Sequence, residues 1–244
     1  MKAPLDLQPA YVLHSRLYRE TSLLVDVFTQ HHGIIPAIAR GVRGQKSNVK
    51  RALLQPFQPI LCRWRGRGEL VSLTDIDSGG KSVPLTGQAL YSGLYVNELL
   101  VRLLHRHDAN EDLYNLYQLT INGLNSSEAL EVVLRSFELT LLEELGYGLS
   151  LEYDIDGEQI IPERQYILTT QGMLQMVSDD MVATINQKTY IGKDLQDIAA
   201  ENWHSPQVLK SAKHLMRSAI NPLLGSKPIQ SRKLFRSGSK TNDT

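Results

Sequence analysis

The chain is poor in cysteine: Cys62 is the only one among its 244 residues. A single cysteine excludes an internal disulfide, is typical of a reducing cytosol, and cannot supply a zinc site built from several cysteines. No apolar run approaches the roughly 20 residues that a membrane-spanning helix needs. Residues 1–9 also lack a charged region followed by an apolar stretch, which would mark a secretory signal. These absences predict a cytoplasmic protein without a membrane anchor.

Motifs for catalysis and metal binding are missing or incomplete. Gly80, Lys81 and Ser82 are similar to the end of a phosphate-binding loop, but Asp75 stands where that motif requires its first glycine. Residues 152–163 place acids at several positions of a calcium loop, but Pro162 interrupts the helix that should follow, so we interpret the segment as a polar turn. The seven histidines lack metal-ligand spacing. We therefore expect no metal, no cofactor and no enzymatic activity.

A run of positive charge is the most informative feature that the sequence does contain. Between positions 40 and 68 there is no acid, although the chain as a whole has a net charge of zero. A neutral protein that concentrates basic side chains in this way is suited to a polyanion, and nucleic acid is the commonest one. The candidate DNA-binding residues of this run are Arg40, Arg43, Lys46, Lys50, Arg51, Arg63, Arg65 and Arg67.

The pattern of residues predicts an α+β fold with an N-terminal OB-fold barrel and a mainly α-helical C-terminal domain without a zinc site. Five short runs rich in branched and aromatic residues, separated by glycine-containing turns, predict strands at 11–17, 23–29, 34–39, 57–64 and 69–76. Alternation along the fourth strand puts Arg63 and Arg65 on the face opposite Cys62 and Trp64. We expect the remaining bases at 40–51 to lie in a mobile loop.

Helical periodicity begins near residue 88. It predicts helices at 88–105 and 111–124, and a third that is capped by Asn125 with Glu128, buries a stripe from Leu130 to Leu145, and ends at Gly146. Strand-like pieces follow at 166–170 and 173–177. The predicted domains are therefore an OB-fold at 1–80 and a helical domain at 81–236 with an irregular or β insertion near 150–190. A disordered tail is expected at 237–244.

The last predicted helix starts at Ser205 and stops before Pro222. A basic stripe follows its spacing of three and four residues: Lys210, Lys213, His214 and Arg217. Lys210, Lys213 and Arg217 are candidates for a second DNA-binding surface, which a protein that brings two strands together would need. The alternatives are a solvated helix face, or pairing with the acidic stretch at 128–163, which holds ten acids and one base.

Specific strings in the sequence resemble those of the bacterial recombination and repair family RecO, and of its proteobacterial members in particular. The string at 90–100 is the most specific, and the order is kept from about Tyr11 to Arg236. The other strings lie at 11–16, 20–22, 26–29, 39–41, 54–57, 137–139, 145–148, 231–232 and 234–236.

This resemblance implies an N-terminal OB-fold and a helical C-terminal domain. It also implies a non-enzymatic function: binding single- and double-stranded DNA, annealing strands, and helping RecA replace single-strand-binding protein together with RecR. Such a protein would be associated with the bacterial nucleoid. Many members carry a four-cysteine zinc site, which is not carried over because this chain lacks those cysteines. We expect residues 152–187 to hold a metal-free remnant of that region.

Arg135 is the one base among the ten acids of 128–163. Because Phe137 belongs to the buried stripe, we expect Arg135 toward the edge of the helical domain, where it could pair with Glu131 or Glu138. The resemblance implies a second role. Family members bind the acidic C-terminal tail of single-strand-binding protein, and Arg135 or Arg102 could supply a cation for its carboxylate.

A function of another class stays open from the sequence pattern. A basic OB-fold could equally serve an RNA-binding protein or a non-catalytic subunit of a nucleic-acid enzyme, because DNA and RNA both present phosphates and stackable bases. The strings at 90–100 and elsewhere favour the recombination mediator.

Overall fold

The structure of the protein, a computed structural model, describes residues 6–44, 48–126, 129–178 and 187–238, with side chains up to 235. The chain forms two compact units, Met1–Ser127 with Pro228–Thr244, and Glu128–Lys227. The predicted domain boundaries at 80 and 236 stay a prediction, and residues 239–244 of the expected tail lie outside the described residues. No helix within the described ranges is long and apolar enough to cross a membrane.

A closed five-stranded barrel occupies the first unit and confirms the predicted fold class. Its strands are β1 (Gln8–Tyr18), β2 (Ser22–Thr29), β3 (Gly33–Ala39), β4 (Pro59–Arg65) and β5 (Val71–Ser78), in the order β1-β2-β3-β5-β4. The pair β3–β5 is parallel and the others are antiparallel. Alternate side chains fill the interior, among them Val12, Val25, Val27, Ile35, Ala37, Ile60, Cys62 and Val71.

Strand β1 closes the barrel by pairing with two neighbours and contains a bulge. Residues 8–11 pair with β4, and the pairing with β2 runs from Ala10 to Tyr18. The register shifts between Val12 and His14, which leaves Leu13 without a partner in the ladder. The carbonyl of Leu13 instead accepts a hydrogen bond from Asn97 Nδ2 at 2.9 Å, and Asn97 Oδ1 accepts one from Tyr117 at 3.0 Å. One amide thus joins the barrel to two helices.

Those two helices, α2 (Gly87–Leu103) and α3 (Glu111–Asn125), belong to the same unit as the barrel. Tyr114 and Tyr117 of α3 pack against Tyr11 and Phe28 of the barrel, with ring centroids 5.0–6.0 Å apart. A short helix, α1 (Asn48–Leu53), lies between β3 and β4. The helices therefore cover one side of the barrel and leave other parts of its outer face to solvent.

The second unit consists of three helices and a small sheet. The helices are α4 (Leu130–Glu144), α5 (Gly192–Ala199) and α6 (Pro206–Leu223), and the sheet has the order β7-β6-β8 from β6 (Gln165–Leu168), β7 (Leu174–Met176) and β8 (Thr189–Ile191). Gly146 ends α4 as predicted, with φ +78° and hydrogen bonds from Gly146 and Tyr147 back to Glu143 and Leu142. In 152–163 the carboxylate of Asp154 accepts two backbone N–H groups, which confirms the polar turn.

Three expectations about helix ends and loops were wrong. Asn125 is the last residue of α3 rather than the cap of α4, which begins after Ala129; Glu128 lies outside the described residues. Helix α6 does start after Ser205 but runs through Pro222, because a proline in the final turn removes only one backbone hydrogen bond. Part of the expected loop at 40–51 is helix α1.

Candidate nucleic-acid interface

A row of paired residues crosses the outer face of the barrel and carries an arginine at each end. Strand pairing sets Arg16 opposite Leu24, Leu24 opposite Ile38, Ile38 opposite Ser72, and Ser72 opposite Arg65. Directly paired residues point to the same face of a sheet. We call these five residues the basic row. Four strand spacings of about 4.8 Å make it roughly 19 Å long along the sheet, a length of several nucleotides.

Burial supports the same orientation. The flanking residues Val25, Ala37 and Val71 belong to the barrel core, whereas the three middle residues of the basic row are half-buried and both arginines are exposed. The row therefore presents one guanidinium group at each end, with Leu24, Ile38 and Ser72 between them. Such a surface can hold phosphates at its ends and sugars or bases in between.

The predicted face of β4 is confirmed. Cys62 is fully buried and Trp64 packs against the barrel core, while Arg63 is paired with Asp75 and Arg65 with Ser72 on the outer side. Arg63 also forms an ion pair with Asp75, with Nη1 and Oδ2 3.6 Å apart. This pairing partly neutralises Arg63, so Arg65 is the stronger candidate for a phosphate contact.

The segment after β3 is held against the turn between β1 and β2. The side chain of Val42 is buried in the barrel core, and the backbone N–H of Arg43 donates to the carbonyl of Thr21 at 3.1 Å. Arg43 Nη1 donates to the carbonyl of Arg19 at 3.0 Å. These contacts bring the bases of the 40–44 segment beside the β1–β2 turn. Arg40 is exposed one residue after β3.

The other predicted bases are placed as follows. Lys50 and Arg51 are exposed on α1, and Arg67 is exposed in the turn between Gly66 and Gly68, both of which have positive φ. Lys46 lies outside the described residues. Contact with DNA stays a prediction for all eight bases of the 40–67 run.

Sequence reasoning missed Arg16 and Arg19. Arg16 is about 50 residues from Arg65 in the chain, and only the strand register brings the two into one row. A signal was available for Arg19, because it lies in a polar turn next to a predicted strand. The missed pair adds to the positive charge at the β1 edge of this face, where His14 and Asp26 form a 3.6 Å contact.

The second predicted surface lies on α6. Lys213 Nζ is 3.0 Å from Glu131 Oε1 of α4, so pairing with the acidic stretch is confirmed for this residue. The pKa of His214 is lowered by burial and then by the charges of Lys188, Arg217, Lys210 and Lys213. Four cations therefore surround one imidazole. Lys188, which the sequence analysis did not include, adds to the stripe.

Arg135 is not at the edge of its unit, and this expectation was wrong. Arg135 is only 5% exposed, and its Nη2 donates a hydrogen bond to Glu138 Oε1 at 3.0 Å. The buried face of α4 is wider than a single stripe and includes both members of the pair. Nε and Nη1 of Arg135 have no hydrogen-bond partner among the described residues. Arg102 lies on α2 in the other unit, with Nη1 3.7 Å from Glu98 Oε1.

A cavity of about 320 Å³ in the second unit is partly apolar, with Leu139, Leu142 and Ile198 in its lining. Its charged lining residues are Glu143, Glu152 and Glu201. This cavity therefore does not suit the carboxylate of an acidic peptide. Among the described residues no group of His, Cys, Asp or Glu side chains is arranged to hold a metal ion.

Comparison with known proteins identifies the family. Residues 4–78 match the family model "Recombination protein O N terminal", and residues 84–233 match "Recombination protein O C terminal". DNA repair protein RecO of Pseudoalteromonas atlantica is 43% identical over 226 residues, which are 93% of this chain and 92% of that protein. The corresponding protein of Pseudomonas aeruginosa is 44% identical over 228 residues, 93% and 94% of the two chains. That of Cellvibrio japonicus is 42% identical over 237 residues, 96% and 98%.

A closed barrel of the OB type followed by a helical region, with matches over both parts, makes the chain a protein of DNA repair and recombination. It belongs to the RecO family. The resemblance noted in the sequence is thereby confirmed.

Proposed function

We propose that the protein is a recombination mediator that binds single- and double-stranded DNA through the outer face of its barrel, without catalysing a reaction. The basic row is the observation that carries this proposal. Its arginines, exposed at the two ends, are suited to phosphate oxygens, and the half-buried Leu24 and Ile38 between them offer an apolar surface. The bases at 40–43, 50–51 and 67 extend the positive surface around it.

In this function the protein anneals complementary strands and, together with RecR, helps RecA replace single-strand-binding protein. Family membership supports the role in repair and recombination. Annealing needs two DNA segments at once, and the cations that act on His214 offer a second positive surface. Location in the cytoplasm at the nucleoid is part of the same proposal.

The same proposal includes docking of the acidic tail of single-strand-binding protein. The tail needs a cation for its terminal carboxylate and an apolar pocket for its last side chain. Arg135 has two guanidinium nitrogens without a hydrogen-bond partner among the described residues, but its exposure is only 5%. If Arg135 binds the terminal carboxylate, the residues that cover this face of α4 must move to expose it.

The salt dependence of DNA affinity tests the basic row. In the double variant Arg16→Ala, Arg65→Ala the slope of log affinity against log salt should fall by about 1.4 to 1.8, since each lost phosphate contact removes roughly 0.7 to 0.9. Fluorescence anisotropy with a single-stranded oligonucleotide and with a blunt duplex, from 50 to about 300 mM salt, gives the slope.

Arg106→Ala, Arg164→Ala is the matched control, because both arginines are exposed outside the basic row. This control has the same change in net charge and should keep the wild-type slope. A slope that is the same in all three proteins would remove the basic row from the interface. Tighter binding of RNA than of DNA oligonucleotides of equal sequence would favour the RNA-binding alternative.

A further inference from the structure

The tip of the β1–β2 hairpin adjoins the basic row and presents an aromatic ring. Tyr18 and Ser22 are the last pair of this hairpin, and alternation along β1 puts Tyr18 on the same face as Arg16. The side chain of Leu17, on the other face, is 70% exposed, which shows that the tip extends beyond the packed part of the barrel. Among the basic row and this tip, Tyr18 is the one aromatic residue.

A planar cation covers that ring. The guanidinium carbon of Arg19 lies 5.3 Å from the centroid of the Tyr18 ring, within the range of a cation–π contact. Arg19 itself is exposed, so its guanidinium group contacts the tyrosine while the residue remains accessible to solvent. Arginine planes and aromatic rings are the two side-chain surfaces on which unpaired bases stack.

The conformation of Arg19 is unusual and is held in place. Its φ is +50°, in the left-handed region that residues other than glycine seldom adopt. The carbonyl of Arg19 accepts the hydrogen bond from Arg43 Nη1, which ties the turn to the 40–44 segment. The unusual φ and the hydrogen bond from a second arginine together constrain the backbone from which the Arg19 side chain extends.

We propose that Tyr18 and Arg19 form a stacking platform for an unpaired nucleobase, and that this platform gives the barrel its preference for single strands over duplex. The inference rests on the proposed function. The basic row offers arginines and aliphatic side chains, which contact the backbone of either form of DNA. In a duplex the bases are already stacked on each other, so the platform gains nothing from it; in a single strand a base can turn outward and stack.

Arg19→Lys is the decisive variant, because it keeps the positive charge and removes the planar surface. Affinity for a 20-nucleotide single strand should fall about fivefold or more, the lower end of the effect of losing one stacked base. Affinity for a blunt duplex and the salt slope should stay at the wild-type value. Tyr18→Ala should act in the same direction, and Tyr147→Ala, which changes a tyrosine that is 57% exposed in the other unit, is the control.

A single strand with abasic sites provides a readout on the DNA side. Wild-type protein should bind the abasic strand more weakly than the intact one, and Arg19→Lys should bind the two strands with nearly equal affinity. Each variant should unfold at the same temperature as the wild type, which would show that the substitution leaves the barrel folded.

Equal losses for single strand and duplex, or unchanged affinity for both, would overturn the platform. Its failure is distinguishable from failure of the proposed interface. If Arg16→Ala, Arg65→Ala lowers the salt slope while Arg19→Lys binds single strands like the wild type, the interface stands and the platform is wrong. If the slope does not change either, the interface itself is wrong.

Discussion

At the scale of single residues, Arg135 and Glu138 form a buried ion pair in the second unit. Both side chains are almost fully buried, at 6% and 1% exposure. A buried charge that loses its partner is costly, whereas replacing both members by apolar residues of similar size is often tolerated. The pair therefore constrains how Arg135 can be tested for any other role.

We expect Arg135→Ala to lower the free energy of unfolding by about 3 to 5 kcal/mol, because the Glu138 carboxylate is left buried without its cation. The double variant Arg135→Met, Glu138→Leu should recover most of this loss. Urea denaturation followed by circular dichroism measures both. A cost below about 1 kcal/mol for Arg135→Ala would mean that water reaches and solvates the pair.

The double variant also allows a fair test of tail docking, since it removes the cation without leaving a buried charge. If Arg135 binds the terminal carboxylate, affinity for a peptide with the acidic tail should fall by on the order of 1.5 to 3 kcal/mol. DNA affinity is the control and should not change. Full peptide affinity would assign the carboxylate to another cation, such as Arg102.

Which site residues could be predicted depends on how each one is recognised. Arg40, Arg63 and Arg65 became candidates because they lie in one continuous basic run. Arg16 could not be found in this way, because its place opposite Leu24 and in line with Arg65 exists only in the register of four strand pairs. The burial of Arg135 was missed because one buried neighbour, Phe137, does not define how wide the buried face of a helix is.

At the scale of elements, long helices and the barrel strands were predicted well, whereas short helices were not. The five barrel strands and helices α2, α3 and α4 were predicted close to their observed positions. Helices α5 and α7 (Ser231–Gly238) were missed, because eight residues are too few to establish a helical period. The short strands β6 and β7 were predicted at 166–170 and 173–177, whereas the three-residue strand β8 was missed.

On helix α6, the protonation of His214 should respond to DNA binding. Because the pKa of His214 is lowered by burial and by four nearby cations, its imidazole is neutral at pH 7 in the free protein. Phosphates bound at these cations would offset their charge, so the pKa of His214 should rise on binding DNA and a proton should be taken up. Lys213 is also paired with Glu131 of α4, so part of its charge is already compensated.

NMR titration of His214 with and without saturating DNA measures this shift. Affinity for a second DNA segment should increase from pH 7.5 to pH 6, and His214→Gln should remove the increase. Without DNA the sign is opposite: a histidine with a lowered pKa makes folding less favourable as the pH falls below its ordinary value of 6.5. An unchanged pKa at saturating DNA would show that α6 is a solvated face.

At the scale of the whole molecule, the chain leaves the barrel unit after residue 127 and returns to it at residue 228. Helix α2 holds the C-terminal segment that returns to this unit. The Glu98 carboxylate accepts hydrogen bonds from the backbone N–H groups of Gln230 and Ser231, each at 2.8 Å, and from the Ser231 hydroxyl at 2.7 Å. Tyr91 packs edge-on against Phe235 with ring centroids 5.7 Å apart. The string at 90–100, the most specific in the sequence, thus contains the residues that hold both Leu13 and α7.

Glu98 makes the attachment of the C-terminal segment to α2 sensitive to pH. Burial alone would raise the pKa of Glu98, but the two N–H groups, the Ser231 hydroxyl and Arg102 outweigh it, and the pKa is lowered. A carboxyl with a lowered pKa stabilises the fold above its ordinary value of 4.5 and loses that contribution as the pH falls through its value in the folded protein. The attachment of α7 should therefore weaken only in acid.

Glu98→Gln and deletion of residues 228–244 test whether the C-terminal segment stabilises the barrel unit. The deletion removes the ring contact and the buried Ile229, which is 4% exposed, so hydrogen exchange should quicken in α2. Glu98→Gln should act in the same direction by about 0.5 to 2 kcal/mol, the range for losing a helix cap. It should also remove the loss of protection that the wild type shows as the pH falls below 4.5. Exchange in α4 and α6 is the internal control and should stay as in the wild type, because these helices belong to the other unit. Equal quickening in both units would mean that the chain unfolds as one body and that the segment stabilises all of it.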